Sequence, residues 1–222
     1  MDNLAVYCAD IGSIAKGNFG WARLEPSVGL MECGRDIDEM VEHIAKDLHT
    51  ERPVAMGFEC PLWVPVPEAS SELGMGRPNE GSPSWSSQTG GCVLATGLAQ
   101  VSWILREVKV RASDVRGFVE WPGFMAAVGC RVFLWEAFVS GAAKADREAN
   151  DSHTRDAETG ARRFAEFIND PVGNCQEFEP TTPFLSLAGA MMIGAGWIGD
   201  ASLLQTVPLV VRAVGAEDPI AN

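Results

Sequence analysis

Apolar and polar positions fall into blocks along the chain, and the period changes from block to block. LAVYCAD (residues 4–10) is an apolar run that ends on a carboxylate, Asp10, and predicts a buried strand. NFGWARLE (18–25) alternates Phe19, Trp21, Ala22 and Leu24 with small or polar residues, after a turn at Lys16-Gly17-Asn18. That alternation predicts a second strand, and SVGLMECG (27–34) a third, weaker one. The period then becomes helical: in DIDEMVEHIAKDLHT (36–50), Ile37, Met40, Val41, Ile44, Ala45 and Leu48 recur at spacings that share one helix face. Asp36 followed by Glu39 is a capping-box pattern. VAMGFE (54–59) is again apolar and again ends on an acid, Glu59. Cys60-Pro61 then drives the chain out of regular structure.

Residues 61–91 read as one long loop insertion, rich in Pro, Gly and Ser. Loops of that length inside a compact domain are uncommon and are often functional. A long amphipathic helix is predicted over 92–110. FVEWPGFMAAVG (118–129) is punctuated by Gly and Pro, and RVFLWEA (131–137) is a strand that delivers Glu136. Over 151–168, Ala157, Ala161, Phe164, Ala165 and Ile168 fall at helical spacing, with Asp151 or Ser152 as the cap. PFLSLAGAMMIGAGWIG (183–199) is near the lower length limit for a membrane span and rich in Gly, so it reads as a buried helix. VPLVVRAV (207–214) closes the pattern as a short strand. The expected architecture is a single α/β domain over 1–222, with helices on both faces of a mixed sheet.

The formal net charge of −13 argues against tight nonspecific binding to duplex DNA, which wants a basic face. It does not exclude a local basic groove, and an acidic cluster that loads divalent cations would add to the negative count. The six cysteines are scattered singly with no C-x-x-C pair, so a zinc ribbon or thioredoxin-type site is not expected. Reduced thiols and the lack of a basic-then-apolar leader predict a cytoplasmic protein without a membrane span. The oligomeric state is left open, a homodimer among the options.

The strands ending on Asp10, Glu59 and Glu136 carry the candidate chemistry. In a five-stranded sheet of order 3-2-1-4-5, those strands are parallel neighbours about 4.8 Å apart. Their acids would then meet at the edge where α/β sheets hold ligands. Carboxylates that close repel, and a divalent cation removes the conflict. Asp and Glu oxygens are the preferred ligands of Mg²⁺ and Mn²⁺, and such an ion can activate water against a phosphodiester.

HTRDA (153–157) resembles the H-x-x-D-A motif of Holliday-junction resolvases of the RuvC type. With the strand-end acids, it makes the chain similar to the RNase H-like superfamily, whose sheet has the 3-2-1-4-5 order. Closer still, the chain resembles a group of bacterial predicted nucleases of RNase H fold. Those have a lid containing Gly-Arg and Trp-Ser, as in MGRPNEGSPSWS, and a strand-end Glu followed by a Lys, as in WEAFVSGAAK. The resemblance spans residues 4–197 and rests on short motifs. It implies that Asp10, Glu59 and Asp156 hold two Mg²⁺ or Mn²⁺ ions, with Glu136 a fourth ligand or an orienter of water. It implies that His153 is a ligand or a general base. Arg77, Trp85 and Lys144 are the candidate contacts to a nucleic acid or nucleotide substrate. One departure stands out: the Ala/Gly helix at 185–197 could be the counterpart of the family's last catalytic helix, yet it carries no acid.

Each candidate also has a plain structural role open to it. Asp10 before Ile-Gly-Ser suits an Asx-type turn. Glu136 can pair with Arg131 or Lys144. His153 and Asp156 lie in a helix's first turn, where acids serve the macrodipole. Arg106, Lys109, Arg111 and Arg116 can complement the end of the long helix or face a phosphate. A second class of function fits the same residues: a non-catalytic, actin-like or sugar-kinase-like phosphate or nucleotide binder, with DIGSIAKGNFG (10–20) as the cradling hairpin.

Overall fold

The computed structural model describes residues 3–81, 84–146, 149–175 and 178–213. The first apolar run becomes β1 (Ala5–Asp10), buried along its whole length. A run with no polar alternation needs cover on both faces, and β1 has it in the middle of the sheet. β2 (Gly20–Glu25) pairs antiparallel with β1, and β3 (Leu30–Gly34) antiparallel with β2. α1 (Ile37–His49) carries the chain to β4 (Val54–Glu59), which lies parallel on the other side of β1. Asp36 caps α1: its carboxylate accepts from the backbone N–H groups of Asp38 and Glu39. Next come β5 (Trp63–Pro65), α2 (Gln88–Arg111), β6 (Arg116–Phe118), α3 (Trp121–Ala126) and β7 (Arg131–Val139). They are followed by α4 (Ser152–Glu166), α5 (Pro171–Cys175), β8 (Phe184–Ser186), α6 (Leu187–Gly194) and β9 (Val210–Ala213).

The main sheet is mixed and has seven strands, in the order β3-β2-β1-β4-β7-β6, with β9 also on β7. The expected sheet had five, so both the count and the order differ. The reason lies in β7, which is nine residues long. Its first residues pair with β6 and its last with β9, both parallel, so two short strands share one edge. The three residues of β6 are too few to show a period, and they sit in the stretch that looks merely punctuated. β5 pairs antiparallel with β8 in a separate two-stranded sheet; β5 lies inside the expected loop and β8 at the start of the stretch expected as a buried helix. α2 begins at Gln88, earlier than its apolar pattern suggests, because Ser87 Oγ accepts from Gly90 N–H at 3.1 Å and starts the helix there.

Strand alternation sorts side chains onto two faces. Ala5, Tyr7 and Ala9 of β1 face a core closed by α1, α2 and α6. Leu4, Val6 and Cys8 face the opposite core, closed by α3 and α4. In that second core the Trp135 and Phe164 rings stack at 4.6 Å, with Trp121, Phe124 and Phe133 around them. Gly57 makes room for Trp135: a Cβ there would lie 2.3 Å from the indole. No helix among the described residues is long and apolar enough to cross a membrane.

Candidate metal centre

Asp10 and Glu59 are register partners across the parallel β1–β4 pair. Register partners project to the same face, here the face that Cys8 shares with α4. α4 lies across this face and supplies Asp156. One carboxylate oxygen from each of Asp10, Glu59 and Asp156 lies within 4.8 Å of the others. Asp10 and Asp156 are buried, at 6% and 5% exposure.

Two glycines let α4 come this close. A Cβ on Gly20, opposite Asp10 on β2, would stand 2.4 Å from the carbonyl carbon of His153. A Cβ on Gly160, one turn beyond Asp156, would stand 2.6 Å from Cys8 Sγ. Neither glycine stands out in the sequence as part of a site. The signal was present only as ETGARR, a glycine inside an otherwise helical pattern, which implies a packing reason.

His153 and Asp156 share a helix face, as three-residue spacing requires. His153 Nδ1 lies 2.5 Å from Asp10 Oδ2. Asp151 does not cap α4; its carboxylate accepts from Arg155 Nε at 2.7 Å instead. Lys144, just past β7, places Nζ 2.5 Å from Glu59 Oε1 and 3.4 Å from Asp156 Oδ2. The backbone N–H of Ala145 donates to Asp156 Oδ1 at 2.7 Å.

The electrostatics follow from three acids sharing one buried space. Burial, and then the neighbouring Asp10 charge, push the Glu59 carboxyl well above the usual range, against the opposing pull of Lys144. Burial raises the Cys8 thiol too, and Glu59, Asp10 and Asp156 raise it further. Burial alone would lower Lys144, but Glu59, Asp10 and Asp156 outweigh it and hold its ammonium above the ordinary value. Glu59 Oε2 is buried and, among the described residues, has no hydrogen-bond partner. An orphaned carboxylate oxygen beside two further acids is the donor chemistry that suits a hard divalent cation. The residues therefore fit Mg²⁺ or Mn²⁺, and among the described residues Lys144 supplies the ammonium that pairs with Glu59 and Asp156.

Glu136 does not join them. Its register partner on β4 is Phe58, not Glu59. That single step turns its side chain to the opposite face. β7 also runs three residues further, to Val139, so Glu136 is not a strand-end residue. It is buried, and it accepts from Leu62 N–H at 2.8 Å and from Arg77 Nη1 and Nη2 at 2.8 and 2.7 Å. Arg77 is itself buried; it also pairs with Glu80 and lies over the rings of Phe178 and Trp63. Burial raises the Glu136 carboxyl, and the bidentate Arg77 and the Leu62 N–H pull against that rise. Trp85 is likewise tied inward: its Nε1 donates to Met75 O at 2.8 Å, and its backbone N–H donates to Glu80. Arg77 and Trp85 thus fasten the 61–91 segment rather than reach toward the acids.

The helix at 185–197 forms as α6 (Leu187–Gly194), and it packs into the core with α1 and α2. It lies on the face away from Asp10 and Glu59, so its lack of an acid leaves the cluster intact. The cations near the end of α2 are engaged locally. Lys109 donates to the carbonyls of Ser113 and Val115, Arg111 pairs with Glu107, and Arg116 donates to Val128 O.

No model of a known protein family, no curated protein and no solved structure matches the chain. The chemistry of the site must therefore be argued from its geometry. Three converging carboxylates, a histidine on one of them and a lysine among them can bind a divalent cation, orient water and exchange protons.

Proposed function

We propose that this chain is a metal-dependent phosphodiesterase of RNase H-like fold, hydrolysing nucleic acid or nucleotide phosphodiesters with Mg²⁺ or Mn²⁺. One observation carries the reading: Asp10, Glu59 and Asp156 come from two strands and a helix to within 4.8 Å, with Glu59 Oε2 buried and unpartnered. The β3-β2-β1-β4-β7 part of the sheet supports it as well. Asp10, Glu59 and Asp156 hold the cation. When bound, that cation supplies activation of water and neutralisation of charge on the phosphate oxygens. Asp10 fixes the His153 ring through Nδ1, leaving Nε2 as the nitrogen that takes or gives a proton. Glu136 and Arg77 brace the loop over the neighbouring strand ends.

The test is Mn²⁺-dependent cleavage of single- and double-stranded DNA and RNA and of bis(p-nitrophenyl) phosphate. Asp10→Asn, Glu59→Gln and Asp156→Asn should each remove it. Full activity in Asp10→Asn overturns the assignment.

A second reading has a specific observation in its favour. Lys144 already offsets part of the acid charge, as it would in a phosphate- or nucleotide-binding module without catalysis. Calorimetry with Mn²⁺ separates the two. Binding that is absent, or unchanged in Asp10→Asn, favours the binding module.

A further inference from the structure

Lys144 sits where the proposed cation would go. Its Nζ is 2.5 Å from Glu59 Oε1 and 3.4 Å from Asp156 Oδ2. The next residue, Ala145, holds the other oxygen of Asp156 through its N–H. Two consecutive residues thus cover both oxygens of Asp156 and one of Glu59. Mg²⁺ takes its oxygen ligands at about 2.0–2.1 Å. A cation that took Glu59 Oε1 and Asp156 Oδ2 at such distances would leave no room for an ammonium between those two oxygens. Like charge opposes the two being there together.

The segment that carries Lys144 is a short turn bonded within itself. It leaves β7 at Val139 and makes a single 3₁₀ turn, Gly141–Ala143, held by Ala143 N–H to Ser140 O and Lys144 N–H to Gly141 O. Gly141 has φ +58°, a left-handed conformation that glycine adopts without strain. Those turn bonds lie within the segment and survive its displacement. The bonds from Lys144 and Ala145 to the acids do not.

The charge balance makes the contact reversible. Among the described residues one ammonium and one imidazole face three carboxylates, a cluster whose oxygens suit the charge of a divalent ion. The Arg77–Glu136 pair, one face away, shows the other design: a bidentate guanidinium buried with its acid and stacked on aromatic rings.

We propose that residues 140–146 form a latch, in which the Lys144 ammonium and a divalent cation occupy the Asp10–Glu59–Asp156 cluster in alternation. The latch is closed when Lys144 holds Glu59 and Asp156, and metal loading opens it. This rests on the metal reading above and adds a gate to the same site.

The experiment titrates Mn²⁺ alone into the full chain and into Lys144→Met, Lys144→Arg and Asp10→Asn. In parallel, acetylation of Lys144 by acetic anhydride is followed by mass spectrometry with and without Mn²⁺. Removing the competing ammonium in Lys144→Met should tighten Mn²⁺ binding about tenfold, or about 1.4 kcal/mol. Lys144→Arg, which offers a bidentate grip, should weaken it. Saturating Mn²⁺ should speed acetylation of Lys144 in the unaltered chain. Equal or weaker Mn²⁺ affinity in Lys144→Met overturns the latch and leaves the metal reading standing. So does Lys144 acetylation that ignores saturating Mn²⁺. No saturable binding in any of these proteins overturns the metal reading, and the latch with it.

Discussion

Two clusters of buried charge lie on opposite faces of the β1–β2 pair, and they are built in opposite ways. On the α1 face, Arg23 binds Asp47 through Nε and Nη2, both at 2.8 Å, and Glu32 through Nη1 at 2.8 Å. It also pairs with Glu25, which Arg52 holds from the other side, and the Tyr7 hydroxyl donates to Asp47 at 2.6 Å. Every acid there has a guanidinium. Arg52 draws Glu25 below the usual carboxylate range, with Arg23 adding to it. Burial would raise Asp47, but Arg23 and Tyr7 outweigh that and lower it. On the α4 face, three acids share one lysine and one histidine, Glu59 Oε2 is orphaned, and Glu59 is driven up rather than down. A fold that satisfies one cluster so fully gains nothing in stability from the second. Burial and like charge acting together, in a site with an open donor, mark the second cluster as the candidate functional one.

The largest expected effect comes from breaking the satisfied cluster. Arg23→Ala leaves Asp47 buried without its main partner, and urea denaturation should show a loss of about 3–5 kcal/mol. Removing the Arg77 partner comes next. Glu136→Ala leaves the buried Arg77 guanidinium with Glu80 alone and should cost about 3 kcal/mol, yet leave Mn²⁺ affinity unchanged, since Glu136 faces away from the cluster. Gly20→Ala forces α4 off the sheet at His153 and should cost about 1–3 kcal/mol. It should also weaken Mn²⁺ binding, because Asp156 moves with the helix.

The smallest effect has the opposite sign. Glu59→Gln removes a buried, poorly compensated charge and should stabilise the metal-free protein by about 1 kcal/mol at pH 7. The pH dependence separates the two clusters. Glu59 has a raised pKa in the folded state, so the native chain binds more protons there than the unfolded one. Stability then falls as pH rises from the ordinary carboxylate range toward that raised value, and the gain from Glu59→Gln should appear across the same window. Asp47 and Glu25 are lowered when folded, so their contribution is present above the ordinary carboxylate range. It fades as pH falls through their lowered values. Thermal melts from pH 3 to about 8 on the native chain, Glu59→Gln and Arg23→Ala check both signs.

Much of this frame was legible in the residues. β1, β4 and β7 are long apolar runs, and Asp10 and Glu59 end two of them, so their meeting follows once the strands are parallel neighbours. Asp156 was legible through the resemblance of HTRDA to the H-x-x-D-A motif. Glu136 was not, because its role turns on register: one residue of offset between β4 and β7 sends it to the other face, and no feature of RVFLWEA reports that offset. Its partner Arg77 lies 59 residues away in a stretch with no periodicity, so the pair shows only in three dimensions. β6 and α3 are too short for a period to declare itself. Gly20 and Gly160 read as a turn edge and a helix blemish, although they set the distance between α4 and β1.

The central claim is that Asp10, Glu59 and Asp156 hold one divalent cation between them. Crystals soaked in MnCl₂ and measured at an energy where manganese scatters anomalously test it most directly. The expected result is an anomalous peak bounded by those three carboxylates, with Lys144 Nζ withdrawn from Glu59. Manganese absent from that position, with Lys144 still on Glu59 and Asp156 at saturating concentration, would contradict it.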